Sequence, residues 1–98
     1  MTSTLALSGG EAEIRHALRG VIDPEIGISV VDVGLIYRIE VREDGVAVID
    51  MTTTTRGCPA TDYLLDAVRE RALHTGVAAQ VDVRLTYDPP WSPEMMNG

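Results

Sequence analysis

The sequence predicts a two-layer α/β (α+β) domain, ordered helix–strand–strand–helix–strand, with two helices on one face of a small mixed sheet. Three observations carry this. Apolar residues recur at helical spacing in two segments, with Ile14, Ala17, Leu18 and Val21 in the first. Ala60, Leu64, Ala67, Val68 and Ala72 make up the second. Between and after them the period drops to two: Tyr37, Ile39 and Val41 alternate with Arg38, Glu40 and Arg42, and Val81, Val83, Leu85 and Tyr87 alternate with Asp82, Arg84, Thr86 and Asp88.

Residues 1–9 read as a flexible tail and residues 10–98 as a single domain, which suits a chain of 98 residues. Ser8 and Glu11 have the spacing of a capping box, and Pro24 disfavours helix at Asp23, so the first helix is expected between them. Asp23, Pro24, Glu25, Ile26 and Gly27 read as a loop. Ser29 and Asp32 are placed to cap one short helical turn that Gly34 stops. A strand begins near Leu35, and Glu43, Asp44 and Gly45 make a hairpin connection. The return strand is expected over residues 46–54, with Ala47, Ile49 and Met51 facing the core and Asp50 and Thr52 facing away. Pro59 suits the first position of the second helix and Gly76 the residue after its end. Pro89 and Pro90 end the third strand, and Ser92, Pro93 and Glu94 start a last helical turn.

Composition narrows the function. A net charge of −7 without a basic cluster argues against nucleic-acid binding. No segment approaches the roughly 20 apolar residues of a membrane span. A single cysteine excludes an intramolecular disulfide framework and fits a reducing cytoplasm, where the protein is expected to reside. Walker, dinucleotide-binding and paired-cysteine motifs are absent.

Cys58 is the most informative residue. Directly before Pro59 it falls at the start of the second helix, where unpaired N–H groups and the helix dipole favour a thiolate. Arg56 adds positive charge and Gly57 leaves room for close approach. The alternative is a buried cysteine acting as a small hydrophobe. Thr54 and Thr55 stand where their hydroxyls can reach Cys58, whereas Thr52 and Thr53 read as ordinary strand residues. Asp23 and Glu25 either form a metal-ligating or proton-handling pair or, more simply, make a turn hydrogen bond and a solvated charge. Trp91 either packs the C-terminal segment over the sheet or anchors a partner. His16 and His74 have no ligand spacing to Cys58. A thiol enzyme, which needs a base in reach of its nucleophile, is therefore disfavoured. One cysteine cannot complete a four-thiolate cluster site, so a bound cluster needs ligands from elsewhere.

These motifs occur in a fixed order: Asp23-Pro24-Glu25, then Val31-Asp32-Val33-Gly34-Leu35-Ile36-Tyr37, then Thr53-Thr54 through Gly57-Cys58-Pro59, then Asp88-Pro89-Pro90-Trp91-Ser92. Together they resemble the SufT/PaaD-like metal–sulfur cluster assembly factors, over about residues 10–96. The resemblance implies an iron–sulfur cluster assembly domain-like fold and a role in maturing or delivering clusters to client apoproteins, not in catalytic turnover. It carries the family's reactive cysteine onto Cys58, as a cluster- or metal-transfer residue, and its acidic motif onto Asp23 and Glu25. The first reading is therefore a factor that binds iron or an iron–sulfur cluster transiently through Cys58, with a cluster carrier and clients as partners and, because one cysteine cannot complete the site, a homodimer in which a second chain supplies the remaining ligands. Two alternatives stand beside it: an adaptor that links carrier and client without holding metal, and maturation of a non-haem iron oxygenase. PaaD-like proteins typically continue into a cysteine-rich tail that this sequence lacks, which aligns it with the short members.

Overall fold

The computed structural model describes residues 2–96, with side chains for residues 10–96. The elements are α1 (Thr2–Leu18), β1 (Ile22–Asp23), β2 (Ile28–Ser29), α2 (Val30–Val33), β3 (Ile36–Val41), β4 (Val46–Met51), α3 (Thr61–His74), β5 (Gln80–Leu85) and a closing 3₁₀ turn (Pro93–Met95). The three-stranded sheet has the order β3-β4-β5, with β3 antiparallel and β5 parallel to β4. β1 and β2 form a separate two-residue ladder.

α1 and α3 pack together, α1 against β3 and α3 against β5. Their apolar stripes meet the inward residues of β4. Ile14, Leu18, Leu64, Val68, Ala72, Ala47, Ile49 and Met51 are all fully buried in one core cluster. Each large aliphatic side chain there contributes about 1.5–3 kcal/mol relative to leaving it in water. The opposite face of the sheet carries Arg38, Glu40, Asp50, Asp82 and Arg84, with two same-strand ion pairs, Arg38 to Glu40 at 3.1 Å and Arg84 to Asp82 at 3.0 Å. Among the described residues no helix is long and apolar enough to cross a membrane.

Several boundaries differ from the sequence expectation. The helical backbone of α1 already begins at Thr2, across the expected tail, because Leu5, Ala6 and Leu7 are good helix formers. The Ser8 side chain, expected to cap the helix, lies outside the described residues. α1 also ends at Leu18, before Pro24 can act. The N–H groups of Arg19, Gly20 and Val21 bond back to the carbonyls of His16, Ala17 and Leu18, a tightened last turn. Ile22 and Asp23 then pair with Ser29 and Ile28, so the expected loop is the tip of a short hairpin. β4 stops at Met51, three residues short of the expected end at Thr54, and Thr52 is fully buried where it was expected to face solvent. Its N–H bonds the Leu35 carbonyl at 2.9 Å, which draws the chain inward as it leaves the sheet.

α2 forms as expected. The Ser29 hydroxyl accepts the Val31 N–H at 3.1 Å, and Gly34 closes the turn at φ 89°. Gly34 is required twice over, since a Cβ there would also collide with the Met95 carbonyl. The C-terminal segment is thereby seated directly on the α2–β3 junction.

Candidate functional site around Cys58

Residues 52–60 connect β4 to α3 and are held by hydroxyl groups. Thr53 Oγ1 donates to the Thr55 carbonyl at 2.6 Å and lies 3.0 Å from the Tyr87 hydroxyl. With its own proton directed to Thr55, Thr53 Oγ1 receives that of Tyr87. The Arg56 guanidinium stands 4.8 Å from the centre of the Tyr87 ring, within cation–π range. Tyr87, just beyond β5, thus pins the loop by both ends of its side chain.

Cys58 follows the exposed residues Thr55, Arg56 and Gly57 and is itself a free cysteine with 6% of its surface exposed. Its carbonyl accepts two bonds from Thr61, the N–H at 3.1 Å and the hydroxyl at 2.7 Å. α3 begins at Thr61, two residues later than Pro59 suggests, so Cys58 lies one turn upstream of the helix and not at its cap. The extra turn, Cys58 to Thr61, arises because Thr61 bonds backward to Cys58. The cap position falls to Ala60, which has no side-chain bond to give, and the helix N-terminus stays open beside the loop.

The structure sorts the remaining candidates. Thr54 is half-buried and Thr55 exposed, both on the Cys58 loop, as is exposed Arg56. Asp23 is 1% exposed, and its Oδ1 accepts the Glu25 N–H at 2.9 Å. Its carbonyl takes the N–H groups of Ile26 and Gly27 at 3.2 and 2.7 Å. Asp23 is therefore a turn former, and Glu25 is exposed at the tip. The acidic motif belongs to the β1–β2 hairpin and Cys58 to the β4–α3 loop. Among the described residues no three His, Cys, Asp or Glu side chains group as a metal site. Trp91 is half-buried against the core, and its Nε1 donates to the Val33 carbonyl at 2.8 Å. This seats Trp91 on α2, with the remaining part of the ring exposed. His16 is exposed on α1. His74 ends α3, whose 14 residues span about 21 Å, so it is remote from a cysteine that precedes the helix.

Three residues of this region are not singled out as functional by the sequence. Tyr87 and Thr61 hold the loop. Tyr37 donates to the Pro89 carbonyl at 2.7 Å, close to Met95 Sδ at 3.6 Å, and ties the C-terminal segment down. Burial pushes the Tyr37 phenol above its ordinary value of 10.0, so it remains a donor at neutral pH. Only the strand alternation flags Tyr37 and Tyr87, and alternation does not distinguish a pinning tyrosine from a packed one.

Residues 11–85 match the family model described as iron-sulfur cluster assembly protein. The chain is 39% identical to a Porphyromonas gingivalis Fe-S protein maturation auxiliary factor, covering 89% of this chain and 83% of that one. It is 38% identical to the Staphylococcus aureus Fe-S protein maturation auxiliary factor SufT, covering 79% and 88%. The Bacillus subtilis Fe-S protein maturation auxiliary factor YitW is 34% identical, covering 86% and 82%. Among solved structures, a domain of unknown function from Bacillus anthracis superposes with a TM-score of 0.89 at 32% identity, covering 96% of this chain and 90% of that one. A Mycobacterium tuberculosis protein associated with Fe-S complex assembly and repair gives 0.55 at 39% identity, covering 86% and 73%.

Proposed function

The chain belongs to the iron–sulfur cluster assembly protein family, as an Fe–S maturation factor, and we propose that it works by passing iron or a cluster through Cys58. The observation that carries this reading is the placement of the chain's one cysteine. It is free, nearly buried, and held by its backbone on a loop that Tyr87 and Thr61 pin in place. Shielding keeps a lone thiol from random oxidation, and the exposed segment of Thr55, Arg56 and Gly57 that precedes it is the surface offered to a docking partner.

The transfer step is ligand exchange. A client thiol gives up its proton and forms a bond to the iron that Cys58 holds. The bond from iron to Cys58 Sγ breaks, and Cys58 takes up a proton. No net redox change occurs. Cluster and iron are cargo here, and the other ligands come from carrier or client thiols, since one cysteine cannot complete a cluster site. Asp23 serves the reading as the residue that holds the hairpin, and Thr54, Thr55 and Arg56 share the loop of Cys58.

The adaptor reading keeps one specific observation in its favour: among the described residues no group of three or more metal-holding side chains exists. Cys58 would then contact the cargo only while carrier and client are both docked. Anaerobic reconstitution with iron and sulfide separates the two, with bound iron and the visible spectrum followed for wild type and Cys58→Ala. Cysteine-dependent iron binding supports the carrier role. Failure of wild type to bind iron shifts the function to the adaptor. Equal binding by both proteins removes Cys58 from the mechanism.

A further inference from the structure

The three-stranded sheet has two outer edges, and they are not equivalent. β3 shifts register between Ile36 and Arg38, and its start is tied to the C-terminal segment through Tyr37. Such irregularity protects an edge against further pairing. β5 is regular over six consecutive pairs with β4, from Gln80 opposite Val46 to Leu85 opposite Met51. Its outer edge has no strand partner among the described residues. It contains no proline, no lysine and no bulge. Leu85 is 38% exposed and Val83 only half-buried, so the apolar row of β5 is incompletely covered.

The β5 sequence is complementary to itself when reversed. Placed antiparallel about Val83, Val81 faces the partner's Leu85 and Val83 faces the partner's Val83, all on the helix side of the sheet. On the opposite side, Asp82 faces the partner's Arg84 and Arg84 the partner's Asp82. Cross-strand pairs of these kinds are the ones that stabilise antiparallel ladders. The groove between α3 and β5 fits the same symmetry. Asp62 and Asp66 line it toward the start of α3 and Arg69 toward its end. Antiparallel helices therefore set each Arg69 toward the partner's acids.

We propose that two copies of this chain associate through β5, edge to edge and antiparallel about a two-fold axis at Val83, forming one continuous six-stranded sheet. The β4–α3 loop lies at the Leu85 end of β5, because Met51 pairs with Leu85. In this dimer the two Cys58 loops consequently stand at opposite ends of the joined strands. Each copy keeps its own transfer site, and the second copy is a structural partner that contributes no cluster ligand.

The test is sedimentation velocity over a concentration series, with circular dichroism as a control for folding. Wild type and Cys58→Ala are expected to show the same concentration-dependent dimer, so the outcome is independent of iron binding. Arg84→Asp or Asp82→Arg alone places like charges opposite each other twice by symmetry, weakening association roughly tenfold. The double exchange, Asp82→Arg with Arg84→Asp, restores opposite pairs and recovers the dimer. Val83→Lys brings two lysines together at the axis and leaves a folded monomer. A wild type that is monomeric at every concentration overturns the proposal. So does a dimer that is insensitive to both single charge reversals and to Val83→Lys.

Discussion

In the β1–β2 hairpin the reactive-looking side chain is bound to the backbone: the Asp23 carboxylate accepts the Glu25 N–H and is 1% exposed. In the β4–α3 loop the bonds run the other way. Thr53 bonds Thr55 and Tyr87, Thr61 bonds the Cys58 carbonyl, and the cysteine itself is free of any disulfide. Both motifs look chemical as sequence, with an acidic pair flanking a proline and a cysteine preceding one. Only the second leaves its functional group without a hydrogen bond among the described residues. A polar side chain that completes a turn is part of the scaffold, whereas one whose neighbours are all fixed and which is itself unpaired is available for chemistry.

The two loops are expected to differ most at Cys58. Cys58→Ala is expected to abolish client maturation while changing unfolding free energy by about 1 kcal/mol or less, read by urea denaturation beside a maturation assay. Full activity of that variant would dissolve the distinction between the two loops.

Asp23→Ala inverts the pattern. Loss of the charge-assisted bond to Glu25 is expected to cost about 1.5–3 kcal/mol, with Asp23→Asn recovering much of it because an acceptor oxygen remains. Client maturation by the folded fraction should be unchanged. Tyr87→Phe sharpens the other side. Removing the hydroxyl is expected to cost about 0.5–1.5 kcal/mol. It should also speed alkylation of Cys58 by iodoacetamide by up to about tenfold, because loop opening exposes the thiol. An unchanged alkylation rate would mean that Tyr87 does not guard the site. The smallest effect is expected at Glu25. Glu25→Gln, at an exposed hairpin tip, should alter stability by about 0.5 kcal/mol or less and leave maturation intact.

Features that depend on local periodicity and local chemistry can be read from the residues alone. The inward residues Ala47, Ile49 and Met51, the α3 stripe of Leu64, Val68 and Ala72, and the Ser29-to-Gly34 turn all follow from spacing and capping that act within a few residues. The order of the motifs also sufficed to identify the family. Features that depend on contacts distant along the chain emerge only when it is folded. Tyr87 reaches Thr53 across 34 residues, Trp91 reaches Val33 across 58, and Met95 rests on Gly34. Thr52 is buried because Leu35 captures its N–H, and α3 begins late because Thr61 turns back to Cys58. A local pattern cannot specify such partners, since each bond depends on two segments that only the packed core brings together.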